Sequence, residues 1–340
     1  MDSDQIEHLQ RIQRCCDALS RLPWVNTGEQ SEVATHLLDF DAENWTLVKY
    51  LSLPLYEEVT RLLLNSNCIS ELSERPGISV IIPVHNANPA LLRKAITSSR
   101  SQVAVNIDCK ISIDGRLEDY ETTESILSTI PSIAERWQAS ITYDKQNKGV
   151  GMCRNQALRK VTSQYFTCLD ADDFYHPLRC LHSLLLLLDR GLDRVNTGYS
   201  RVSARYAKII LLNGSTFWSG NNSFLARTDL LRRYGYFADL RYHEDTEYMN
   251  RLAHFGVPMM NSAAVGHYQH YEADWDYESL STSTHTRREV HTIENHPYLA
   301  GSVITEMTED RQRLERQFTE IYQSIIGDSM GRAFPPDLSS

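Results

Sequence analysis

Apolar positions change rhythm along this chain, and each change marks an element. Ile6, Leu9, Ile12, Cys16 and Leu19 recur at helical spacing until Pro23 and the Asn26-Thr27-Gly28 turn, which predicts a helix ending there. Leu55, Val59, Leu62 and Leu63 form a second helical face after Pro54. Glu74-Arg75-Pro76-Gly77 breaks the pattern, as Pro and Gly do where elements end. Ile78 to Val84 is then a short β-branched run suited to a buried parallel strand. Further strands are expected at 109–113, 141–143 and 165–169, with helices between them, one over 151–161. This alternation predicts an α/β fold with a mostly parallel sheet, whose ligands bind beyond the carboxyl ends of the strands. From about Ser279 the strand pattern fades, and Leu314, Phe318, Ile321 and Ile325 make an amphipathic stripe before Pro335-Pro336. The expected organisation is a helical N-terminal extension (1–75), an α/β domain (76–278) and a helical C-terminal extension (279–340).

Composition narrows the class of partner. The 340 residues carry 44 acidic against 34 basic side chains, a formal charge of −10. That argues against general nucleic-acid binding, which depends on neutralising phosphates. The longest apolar run, Leu184 to Leu188, is far too short for a transmembrane helix. Met1-Asp2-Ser3-Asp4 lacks the basic-then-apolar layout of a signal peptide. Seven cysteines without a C-x-x-C pair suit reduced thiols. The expectation is therefore a cytoplasmic protein without a membrane span.

Three segments carry candidate chemistry. In Leu169-Asp170-Ala171-Asp172-Asp173, carboxylates crowd the end of an apolar strand, and a divalent cation would relieve their repulsion. In an extended segment Asp170 and Asp172 face the same side, and hard carboxylate oxygens suit Mn²⁺ or Mg²⁺. The plainer reading is an acidic turn that caps a helix. Asn147-Lys148-Gly149-Val150-Gly151-Met152-Cys153-Arg154-Asn155 brings glycines for close backbone approach and Arg154 for an anion; an ordinary turn before a helix is its plainer reading. Tyr242-His243-Glu244-Asp245 opens a helix, where acids are also favoured by the macrodipole.

Taken in order, these segments resemble glycosyltransferase family 2. Ile81-Ile82-Pro83-Val84-His85-Asn86 stands where the family has Pro-Val-Tyr-Asn, and Ile113-Asp114-Gly115-Arg116 partly matches Asp-Asp-Gly-Ser. Asn147 to Asn155 matches Asn-x-Gly-x-x-x-Ala-Arg-Asn with Cys153 for Ala, and Leu169 to Asp173 matches Leu-Asp-Ala-Asp-Asp completely. Glu244-Asp245 with the later Arg251-Leu252 completes the series over roughly residues 77 to 275. The resemblance implies a GT-A fold and an inverting, non-processive transferase of the hexosyl or N-acetylhexosaminyl type.

It also implies roles, position by position. Pro83, His85, Asn86, Asp114, Asn147, Gly149, Arg154, Asp170 and Ala171 would surround the nucleotide sugar, Asp114 at the base and Asp170 at the ribose. Asp172 would bind Mn²⁺ or Mg²⁺, with His270 of His267-Tyr268-Gln269-His270 completing the shell. Asp245 would be the general base, beside Glu244, and Trp218 and Asn221 would meet donor or acceptor sugar. The donor implied is a UDP-sugar; the acceptor is open among glycan, lipid-linked intermediate, peptide and small metabolite. The terminal stripe would be a lid or a dimer contact. Two rivals are weighed. A haloacid-dehalogenase-like phosphatase would place its Asp-x-Asp at the start of its domain, with Thr or Val at Phe174. An inactive GT-A-like scaffold recruiting partners through its helical ends would not require Asp170, Asp172 and Asp245 together.

Overall fold

A computed structural model describes residues 3–47, 51–65, 67–133, 136–203, 208–212, 218–239, 244–270, 287–292 and 303–307. Three helices come first: α1 (Ser3–Leu19), α2 (Thr27–Leu47) and α3 (Leu53–Asn65). The α/β alternation then begins with β1 (Gly77–Val84), α4 (Pro89–Arg100), β2 (Asn106–Asp114), α5 (Leu117–Thr129) and β3 (Trp137–Asp144). It continues through α6 (Val150–Leu158) and β4 (Tyr165–Cys168). From Ile78 onward β1 is buried at every residue, as a predominantly apolar run in a doubly covered parallel strand should be. Asn88 starts α4 by accepting from the backbone of Ala90 and Leu91, with Pro89 in the first turn.

Strands β3, β2, β1 and β4 lie side by side and parallel. The later elements are β5 (Phe174–Tyr175), α7 (Arg179–Asp189), β6 (Arg194–Ser203), β7 (Lys208–Leu212) and β8 (Trp218–Arg227). They are followed by α8 (Asp229–Tyr234), α9 (Glu244–His254) and β9 (Met259–His270). Here the mostly parallel expectation needs correction. β8 runs antiparallel to β4 and β6, β7 runs antiparallel to β6, and β5 runs antiparallel to β9, while β9 lies parallel to β6. The sheet is parallel where helices cross between strands and mixed beyond β4.

A second correction concerns the C-terminal region. The described residues of 279–340 form strands, β10 (Arg287–Thr292) and β11 (Val303–Met307), not helix. Val303, Ile304 and Thr305 are β-branched, a composition that favours strand over helix. The Leu314–Ile325 stripe lies outside the described residues.

Alternation along β1 divides the interior. Val80 and Ile82 join a core shared with Ile12, Leu19, Leu55 and Leu62 of the first helices and Leu181, Leu184 and Leu185 of α7. Ile81 joins the opposite core with Phe166, Phe224, Tyr248 and Leu252. The N-terminal helices therefore cover one face of the sheet. Arg75 pairs with both oxygens of Glu29, and Arg136 with both oxygens of Glu32, tying α2 to the segments flanking the sheet.

Candidate active site

At the carboxyl end of β2, Asp114 is 4% exposed. Its Oδ1 accepts from the Lys148 N–H at 2.7 Å and its Oδ2 from the Gly149 N–H at 2.9 Å. The carboxylate thereby fixes the loop before α6. The exposed His85 ring stands alongside. Its Nδ1 donates to the Asp114 carbonyl at 2.6 Å, and its Nε2 accepts from Asn147 Nδ2 at 3.1 Å. With both nitrogens engaged, the imidazole is held in one orientation and presents its face to solvent. Asn86 adopts φ 51, a left-handed conformation that Asn tolerates better than most residues. Asp119, buried in the first turn of α5, holds that bend by accepting from the Asn86 and Ala87 N–H groups.

Across the cleft, Arg154 joins three motif segments. It projects from α6, is 3% exposed, and donates through Nη1 to Glu244 and through Nη2 to Asp170 at 2.6 Å. A Cβ on Gly151 would lie 2.7 Å from the Ala238 carbonyl and close to the Glu244 side chain, so a glycine there lets α6 approach the start of α9. Asn155 completes the clasp: its amide exchanges hydrogen bonds with the backbone of Phe237. Cys153, where the family has Ala, donates to the Ser112 carbonyl and is buried, which pushes its thiol up to about 12. It is an inert packing residue.

Burial pushes the Glu244 carboxyl up to about 7, against the attraction of Arg154 and with added repulsion from Asp245 and Asp170. Arg154 itself is held charged by Glu244 and Asp170 despite its burial. One guanidinium thus serves two carboxylates, while Asp245 and Asp172 add further acids at the same end of the sheet. Asp245 Oδ1 accepts from the Thr246 N–H at 2.7 Å. Asn221 donates to the Thr246 hydroxyl at 3.1 Å, and its neighbour Asn222 points to Asp170 Oδ2 at 3.5 Å.

The acidic turn divides its carboxylates. Asp170, Ala171 and Asp172 remain partly exposed, whereas Asp173 is buried. Asp173 Oδ2 lies 2.9 Å from His267 Nε2, and its Oδ1 accepts from the His270 N–H at 3.0 Å. Burial depresses both histidines, His267 to about 3 and His270 to about 4. His270 is therefore a neutral, fully buried ring at the end of β9. Among the described residues, no three His, Cys, Asp or Glu side chains are grouped to hold a cation. The remaining donors still suit a hard cation in kind: Asp172 offers carboxylate oxygens on a partly exposed turn near other carboxylates.

The structure thus brings together His85, Asn147, Gly149 and Asp114 at one corner, and Arg154, Asp170, Glu244, Asp245 and Asn221 at another. Pro83 is buried in β1, and Trp218 begins β8. Asp119, Asn222 and Thr246 also belong to the site and have no motif of their own. Only the acid in the first helical turn at Asp119 could have been noticed, and helix polarity explains such an acid equally well.

Residues 79–230 match the family described as Glycosyl transferase family 2. An uncharacterized glycosyltransferase of Rickettsia felis is 32% identical over 141 residues, covering 39% of this chain and 22% of that protein. The putative teichuronic acid biosynthesis glycosyltransferase TuaG of Bacillus subtilis is 28% identical over 129 residues, covering 37% of this chain and 48% of that protein. The chain thus spans less than half the length of these relatives. Among solved structures, S. aureus TarS 1-349 in complex with UDP-GlcNAc is similar with a TM-score of 0.47 and 17% identity, over 58% of this chain and 60% of that one. No described helix is long and apolar enough to cross a membrane.

Proposed function

We propose, from the match of residues 79–230 to Glycosyl transferase family 2, that the protein transfers a sugar from a nucleotide-sugar donor, a UDP-sugar, to an acceptor nucleophile with inversion. The observation that carries this reading is Arg154. It binds Asp170 and Glu244 directly, so motif segments far apart in the chain converge on one cleft.

The parts divide the work by chemistry. His85, locked at both nitrogens, offers a flat face for a nucleobase, and Asp114 keeps the Gly149 loop beneath it. Asp170 is the ribose acceptor. Asp172 would hold Mn²⁺ or Mg²⁺, an ion that neutralises charge on the leaving diphosphate when bound. Asp245 takes the acceptor proton as the acceptor oxygen bonds to the anomeric carbon. The bond from that carbon to the diphosphate oxygen breaks in the same displacement, and the nucleoside diphosphate leaves with the electron pair. One base serves this reaction, unlike the two flanking carboxylates of a glycosidase. Nucleotide sugars are cytoplasmic metabolites, and we place the reaction there.

A thermal-shift panel of nucleotide sugars with Mn²⁺ tests the proposal. A donor at about a hundred times its Kd stabilises the fold by roughly 2.7 kcal/mol, which is readily seen as a rise in Tm. Asp172→Asn should remove the Mn²⁺-dependent part of that rise. An unchanged Mn²⁺-dependent shift in the variant would exclude Asp172 as the ligand. If no nucleotide sugar stabilises the wild type, the scaffold reading takes its place.

A further inference from the structure

The geometry points to Thr246, held by Asn221, as the residue that positions Asp245, an assignment that rests on the reading of Asp245 as the base. The Thr246 hydroxyl has a single proton. Asn221 Nδ2 donates to its oxygen at 3.1 Å, so that proton is available to Asp245 Oδ1, 3.3 Å away. The Thr246 backbone N–H reaches the same oxygen at 2.7 Å. Both Thr246 donors therefore converge on Oδ1. This fixes the carboxylate's rotation and leaves Oδ2 as the oxygen offered to an acceptor. Among the described residues, Oδ2 takes no hydrogen bond like those at Oδ1.

The anchor of this chain is itself built. β8 pairs with β6 as Asn196↔Phe224 and then Gly198↔Ser219, so β8 spends more residues over that stretch and bulges. The bulge carries Asn221 and Asn222 to the cleft together, although successive strand residues ordinarily face opposite sides. Ser223 and Thr197 pin it by donating each to the other's carbonyl. A Cβ on Gly220 would clash with the Tyr199 ring, so the bulge also depends on glycine at that point. Asn221, which the resemblance places at donor or acceptor sugar, donates one amide N–H to Thr246 in the first turn of α9. Asn222 aims at Asp170 from the next position. The bulge thus links the proposed base to the proposed ribose acceptor.

The test uses the full chain with Mn²⁺, following release of UDP from UDP-GlcNAc and of GDP from GDP-mannose with water as acceptor. Thr246→Val keeps the volume and removes the hydroxyl. It should lower kcat about tenfold, the worth of one hydrogen bond, with the donor KM unchanged. Thr246→Ser should restore the rate, and Asn221→Ala should lower kcat in the same way. A merely structural role would change Tm or KM without this split. Wild-type kcat in Thr246→Val, together with an inactive Asp245→Asn, would overturn the positioning role while leaving the base in place. Full turnover by Asp245→Asn, or no turnover of either donor by the wild type, would overturn both readings.

Discussion

Glu244 is 4% exposed, and its neighbours pull its proton in opposite directions. Burial raises its pKa from the ordinary 4.5 to about 7, Arg154 opposes the rise, and Asp245 and Asp170 assist it. An unfolded chain loses this proton near 4.5, so between that pH and about 7 the folded protein holds more protons than the unfolded one. Stability must therefore fall as pH climbs through the window. Urea midpoints at pH 5 and pH 8 should show a larger drop for the wild type than for Glu244→Gln, which cannot ionise. Equal drops would refute the raised carboxyl. Glu244 and Arg154 were legible because each sits in a motif whose residue types are unusual together. Thr246 was not, and Asn221 was expected at a sugar rather than at Thr246. Their bond joins residues 25 positions apart, and nothing in either local sequence signals a partner so far away.

At the scale of elements, Asp173 fastens the acidic turn to β9, the strand that also lies against β6. Replacing it tests whether that strand organises the turn. Asp173→Leu would strand the buried His270 N–H and the His267 ring, at a cost of about 1–3 kcal/mol for each unpaired group. Asp173→Asn should be much milder. Its amide oxygen can accept from His270, and its N–H can donate to His267 once that neutral ring carries its proton on Nδ1. Denaturant unfolding of the two variants should separate them by more than 1 kcal/mol, and equal losses would exclude this account. The parallel strands were readable in sequence because β1 and β4 are short, mostly apolar runs interrupted only by the small polar residues Ser79 and Thr167. β6 was not, since Arg194, Asn196, Thr197, Ser200 and Arg201 are all buried within it. Arg194, for one, is accommodated by donating to the carbonyls of Met249 and Val257. A strand that buries polar residues on specific partners shows no alternation to read.

At the scale of the whole molecule, the N-terminal helices and the sheet share one interior. The leucine run that composition could only call too short for a membrane lies in α7, where Leu184 to Leu187 are buried. Leu55, Leu62 and Leu63 of α3 belong to the same core, so α7 is covered on one side by the helices and on the other by the sheet. That position explains why the run lacks a polar face. Polar contacts reinforce the junction. Glu58 of α3 lies 2.9 Å from His182 of α7 and accepts from Ser262 of β9 at 3.0 Å. The first helices thus bear on the strand that holds Asp173. A chain beginning at residue 77 would expose the α7 leucines and leave His182 without its carboxylate, and each buried leucine uncovered costs about 1.5–3 kcal/mol. Several such losses together are comparable to the whole 5–15 kcal/mol that typically separates folded from unfolded states. The truncated chain should therefore show no cooperative thermal transition by circular dichroism and no Tm rise with UDP-GlcNAc and Mn²⁺. A cooperative melt near that of the full chain would show instead that residues 77 onward fold on their own, with the helices as a detachable cover.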